Sequence, residues 1–132
     1  MRGFIGLAAG LVLVACSAPG DARTFSAGDV TVVDSSGLVK EVVQEQAPAV
    51  ESVSGPTATK GESLTQVLVT WPASSCVETW TLRLSGNALD LSIEPGASPS
   101  GCEGTQVAHA VRLDLNRVVD AENIELSLTD GL

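Results

Sequence analysis

The side chains of this chain that could do chemistry are few. It has one histidine, His109, and three cysteines, Cys16, Cys76 and Cys102. A free cysteine near a histidine could act as a nucleophile. Two cysteines and one histidine fall short of the usual zinc ligand set, and two cysteines in an oxidising compartment close a disulfide. A serine nucleophile elbow reads Gly-x-Ser-x-Gly, and Gly96-Ala97-Ser98-Pro99-Ser100 lacks the closing glycine. Asp90, Glu94 and Asp114 should project from outer strand faces, where two acids could stand at glycosidase separation. The few aromatic residues offer them no sugar-stacking platform. Asp114, Asn116, Asp120 and Glu122 gather oxygen ligands as a calcium site would, without the ligand order and glycine of an EF-hand loop. Such residues also simply populate exposed turns, which is the preferred reading. No Gly-rich phosphate loop, dinucleotide fingerprint or Cys-x-x-Cys occurs. The expectation is a non-enzyme without cofactor or metal, with that acidic group as the weak calcium candidate.

Period-two alternation supplies the elements that would position these residues. Leu64 to Trp71 puts Val67, Val69 and Trp71 on one side. Val77 to Leu84 puts Trp80, Leu82 and Leu84 inward and Thr79, Thr81 and Arg83 outward. After the turn Ser85-Gly86-Asn87, Leu89, Leu91 and Ile93 alternate with Asp90, Ser92 and Glu94, which predicts a hairpin. Val107 to Leu115 places His109 on the apolar side with Val111 and Leu113, so it reads as a packed structural histidine rather than a base. Ile124, Leu126 and Leu128 form a last run. The first half is less legible. Asp29 to Val33 reads as a strand and Asp34-Ser35-Ser36-Gly37 as a turn. Leu38 to Gln44 fits a strand or a helix, with flanking Gly and Val tilting it to strand. Ala47 to Gly61 reads as a long loop with a short edge strand near Val50 to Val53. Short strands, frequent turns and no convincing helix predict an all-β fold: a small antiparallel β-sandwich, Ig-like in the loose sense. The immunoglobulin Cys-Trp-Cys spacing is absent, since Trp80 follows Cys76 by only four residues.

The N-terminal segment bears on compartment. Arg2 precedes an apolar run from Phe4 to Ala15, and small residues close it, which is the secretory signal pattern. The run is too short to span a bilayer, which takes ~20 apolar residues. Leu13-Val14-Ala15-Cys16 resembles the lipobox of bacterial lipoproteins. That resemblance covers residues 1–16 only. It implies that a diacylglyceryl group is attached to the sulfur of Cys16, which becomes the mature N-terminus. Ser17 in place of an aspartate leans, in a two-membrane envelope, towards the outer membrane. Residues 1–15 are then signal peptide, 16–26 a lipidated cysteine and flexible tether, and 27–132 the domain.

Removing residues 1–15 leaves 132 − 15 = 117 residues, one domain's worth. With Arg2 gone, the side chains sum to 6 − 16 = −10. That argues against nucleic acid, whose binding needs clustered Lys and Arg, and against lying flat on an anionic bilayer. In an exported chain Cys76 and Cys102 have one way to pair, so a disulfide is expected, stapling across the Trp80 hairpin rather than pinning sheet to sheet. The function read from this is a lipid-anchored extracytoplasmic lipoprotein, a non-catalytic binding or structural module of the cell envelope. Its partners are the membrane, through the lipid, and an unidentified envelope protein or ligand. The alternative is an enzyme or calcium-dependent binder using acidic strand faces.

Overall fold

The computed structural model describes residues 22–86 and 89–129. Residues 1–21, including the lipobox-like run and Cys16, lie outside them, as do Asn87 of the expected hairpin turn and Ala88 after it. Nine strands are described: β1 Arg23–Ala27, β2 Val30–Asp34, β3 Val39–Gln44, β4 Thr57–Lys60, β5 Gln66–Ser74, β6 Trp80–Ser85, β7 Asp90–Pro95, β8 Gln106–Leu115 and β9 Glu125–Leu128. They form two sheets, of five strands in the order β9-β7-β6-β2-β1 and of four in the order β3-β8-β5-β4. The fold is an all-β sandwich with one disulfide, as expected.

The core lies where the two alternations meet. Val30, Val32, Trp80, Leu82, Leu84, Leu91 and Ile93 of the first sheet face Val67, Val69, Trp71, Val111, Leu113 and Leu115 of the second. Their outward neighbours Thr81, Arg83 and Ser92 are part-buried or exposed, so the hairpin faces are as the alternation predicts. Ala108 and Ala110 are a local exception. They alternate with inward His109 yet are buried. The short 3-10 turn Val50–Ser52 packs on β8, with Val53 buried beside it. Alanines on β8 leave room for this strap.

Five features differ from the expectation. Among the described residues, β2 pairs β6 and β9 pairs β7 in parallel, while the other five pairings are antiparallel. Each parallel pair is joined by a crossover through the other sheet, a long-range arrangement that alternation cannot encode. β1 begins at Arg23, so the domain reaches into residues assigned to the tether: Arg23 and Phe25 pair with Asp34 and Val32. The expected edge strand near Val50 is the 3-10 turn. The strand that borders β5 is β4, inside the presumed long loop. β5 also continues past Trp71 through Pro72 to Ser74. Pairing with β4 stops at Thr70, so β5 is an edge on that side where the proline lacks its donor.

Strand directions give the sandwich two unlike ends. Arg23, the turn 35–38, the loop 61–65 and the loop after Leu115 gather at one end. The β1–β2 turn, residues 75–79 and residues 96–105 gather at the other.

Candidate functional site

The chemistry-bearing residues the sequence singles out converge most closely at the second of these ends. Trp71 on β5 is the cross-strand partner of His109 on β8. Their rings stack with centroids 5.6 Å apart. Trp80, from the opposite sheet, meets Trp71 edge-on at 5.8 Å and His109 at 5.8 Å. The trio forms because all three positions fall inward on strands from both sheets, so the largest rings fill one end of a core otherwise built of Val, Leu and Ile. Indole Nε1 of both tryptophans and Nε2 of His109 are buried without a protein hydrogen-bond partner.

His109 borders a shallow groove of about 510 Å³ with Asp29, Ser75, Val77 and Glu78. Burial lowers its pKa below the ordinary 6.5, and the negative charge of Asp29 opposes that shift. The imidazole is therefore neutral at neutral pH. A general base also needs an orienting partner and a substrate-facing nitrogen. Here one ring nitrogen is buried and unpartnered, and the ring face lies on an indole. The arrangement is one of ring packing.

The disulfide Cys76–Cys102 closes this end, with Cα atoms 6.0 Å apart. Cys76 follows β5 and Cys102 precedes β8, the two strands paired as far as Ser74 and Gln106. Ser75 N–H donates to the Thr105 carbonyl at 2.9 Å, and Thr105 N–H donates to Ser75 Oγ at 2.9 Å. The bridge thus extends the β5–β8 ladder and ties off the β6–β7 hairpin between its ends. It consumes both thiols of the domain.

The acidic candidates do not come together. Asp90 and Glu94 lie on the outer face of the five-stranded sheet, while Asp114 lies on the outer face of the four-stranded one. Glu94 is paired with Arg83 at 3.1 Å. Asp114 Oδ1 stands 3.3 Å from Arg112 Nε, an ion contact without hydrogen-bond alignment, and Arg112 also reaches Glu45 at 3.2 Å. Of the calcium candidates, the Asn116 and Asp120 side chains are engaged within the fold. Asn116 Nδ2 donates to the Gly37 carbonyl at 2.9 Å. Asp120 caps the 3-10 turn Ala121–Asn123, accepting from Glu122 N at 3.1 Å and from Asn123 Nδ2 at 3.1 Å. Among the described residues no group of three or more His, Cys, Asp or Glu side chains is placed to hold a metal ion.

One residue that sequence reasoning passed over is Asp34, the one buried charged side chain among the described residues. Its Oδ1 accepts from Ser36 N at 2.9 Å and from Ser36 Oγ, and its Oδ2 accepts from Val39 N at 3.0 Å. An Asp ahead of Ser-Ser-Gly signals a turn of this kind. That the carboxylate points into the sandwich follows only from its inward register beside Val30 and Val32. Comparison with known proteins finds no family model that matches the chain, no similar curated protein and no similar solved structure.

Proposed function

We propose that the protein is a lipid-anchored extracytoplasmic lipoprotein, held on the outer side of the plasma membrane or on an outer membrane. It serves there as a non-catalytic binding or structural module of the envelope. The observation that carries this reading is the run Leu13-Val14-Ala15-Cys16 closing a short apolar segment behind Arg2. Two features support it. The domain closes a disulfide, which suits an oxidising compartment. No helix among the described residues is long and apolar enough to cross a membrane, so in this reading acyl chains on Cys16 supply the anchor. Two or more chains hold stably where one is marginal, at ~0.8 kcal/mol per buried CH₂. The non-catalytic part of the reading rests on a packed His109, bridged thiols and dispersed acids.

The test is Cys16→Ser in the full-length chain. The variant is expected to move from the membrane pellet to the soluble exported fraction. Retention in the pellet after a high-salt wash would overturn the anchor.

A further inference from the structure

Leu64 and Val118 are the large hydrophobic side chains left exposed among the described residues, each at 58%. They come from different loops, 61–65 and 116–124, yet border one groove of about 580 Å³ with Ala58, Lys60 and Val119. Exposed apolar side chains are ordinary one by one; here two from separate loops border the same groove, which makes it a candidate contact surface.

Their position names the occupant. Arg23, the first residue of β1, donates from Nη1 to the Val39 carbonyl at 3.2 Å. Val39 pairs with Leu115, and Leu115 N–H donates to the Thr65 carbonyl at 2.8 Å, next to Leu64. The chain therefore enters the domain at the same end as the groove. Cys16 precedes Arg23 by seven residues, a reach of at most ~25 Å even when fully extended. The opposite end lies a further ~30 Å away, the length of a nine- or ten-residue strand. Charge at the groove end is mixed: Arg23, Lys40 and Lys60 lie there together with Asp34, Glu41, Asp90 and Asp114. The loops of the opposite end carry Asp29, Glu78 and Glu103 and, among the described residues, no Lys or Arg. Asp120 and Glu122 line the groove itself and Glu62 lies in the adjoining loop, so apolar contact rather than anionic lipid must drive docking.

We infer that the Leu64–Val118 end docks on the lipid surface that holds the anchor, with both side chains in the headgroup–acyl boundary and the disulfide end outermost. This rests on the lipoprotein reading above. Two side chains cannot hold a free protein on lipid, so docking belongs to the anchored form, in which the tether supplies the local concentration.

The experiment uses the full-length lipidated chain in phosphatidylcholine vesicles containing acyl-chain spin-labelled lipid. Leu64→Cys, Val118→Cys and, as the distal control, Thr129→Cys each carry a polarity-sensitive fluorophore. The expected result is a blue shift and lipid quenching at 64 and 118, with neither at 129. Fluorophores at 64 and 118 that stay water-exposed, on protein that pellets in a Cys16-dependent way, would overturn the docking and leave the lipoprotein reading standing. A blue shift without lipid quenching would put a second copy or another protein in the groove, which also overturns it. Pelleting that ignores Cys16→Ser would remove the anchor and the docking together.

Discussion

The two ends of the sandwich are stabilised by different means. The distal end concentrates the bulk of the domain. Both tryptophans, His109 and the disulfide lie there, and long loops at 75–79 and 96–105 are tied off by a covalent bond. Towards the end where the chain enters, the ring present is Phe25, only part-buried and covered by the Arg23 guanidinium at 5.0 Å. A single buried carboxylate, Asp34, holds its β2–β3 turn through backbone donors, and its loops leave Leu64 and Val118 outside. A domain with three aromatic residues beyond Phe4 cannot spread them over its whole core. It gathers two of them across the sheets at one end and closes the other with small side chains and hydrogen bonds. The distal end should therefore respond to loss of volume, and the entering end to loss of polar partners.

The largest effect should come from the aromatic trio. Trp71→Ala is expected to cost ~3–5 kcal/mol, and Trp80→Ala as much, because each empties a fully packed position. Placing Trp71 at a strand end before Pro72 would make its cost the smaller of the two. The structure removes that distinction: Trp71 is 0% exposed, mid-strand and stacked on His109. Denaturant melts of both variants decide it. If Trp71→Ala costs less than half of Trp80→Ala, the trio is not a unit, and the distal end is held by Trp80 and the disulfide alone.

The next pair sets covalent against polar closure. Reducing Cys76–Cys102 opens a loop of 26 residues, for which the chain-entropy model gives ~3–4 kcal/mol. Asp34→Ala strands the Ser36 and Val39 amide donors and should cost ~2–3 kcal/mol. Calorimetry of reduced and oxidised protein, and melts of Asp34→Ala against Asp34→Asn, measure the two ends separately. Thiol titration of unfolded, unreduced protein should find neither Cys76 nor Cys102 reactive. Two reactive thiols would end the claim that the distal end is covalently closed.

The distal end was largely legible in the sequence and the entering end was not. His109, Trp80, Leu82 and Val111 declare their faces by alternation, and a two-cysteine domain leaves no choice of partner. Alternation reports a face, however, and not a neighbour. It could not say that Trp71 and His109 stand opposite each other, nor that β2 runs parallel beside β6, since both depend on long-range register. β1 and β4 escaped because Thr, Ser and Lys on short edge strands look like loop. Asp34 escaped because its role is set by burial. The acidic candidates were readable as residues but not as a site, because Asp90 and Asp114 fall on opposite outer faces. The lipobox-like run ending at Cys16 lies outside the described residues.

A smaller effect sharpens the distal end through pH. Burial holds the pKa of His109 below 6.5 in the folded state, against the opposing pull of Asp29. Above that value neither state carries the proton, and nothing is lost. As pH falls through 6.5 the unfolded chain takes up a proton that the folded protein refuses, so stability declines until the folded-state pKa is passed. Melts from neutral pH to about pH 5 should show this decline. His109→Gln should flatten it, and Asp29→Asn, by removing the opposing charge, should extend it to lower pH. A decline unchanged in His109→Gln would assign it to carboxylates elsewhere.

The smallest effect should come from the tip of the entering end. Leu64 and Val118 are each 58% exposed and border a groove rather than the core. Truncation there removes little area that folding buries, so Leu64→Ala and Val118→Ala should each change stability by under ~0.5 kcal/mol. The comparison is with Val119, next in sequence, which packs against the core. Val119→Ala should cost more, because its methyl groups leave a space the fold had filled. Melts of the three soluble variants rank them. If Leu64→Ala or Val118→Ala costs as much as Val119→Ala, these side chains belong to the fold, and their exposure gives no ground for assigning them to a surface outside it. If they cost little while Val119→Ala costs more, the entering end retains two apolar residues that its own stability does not require.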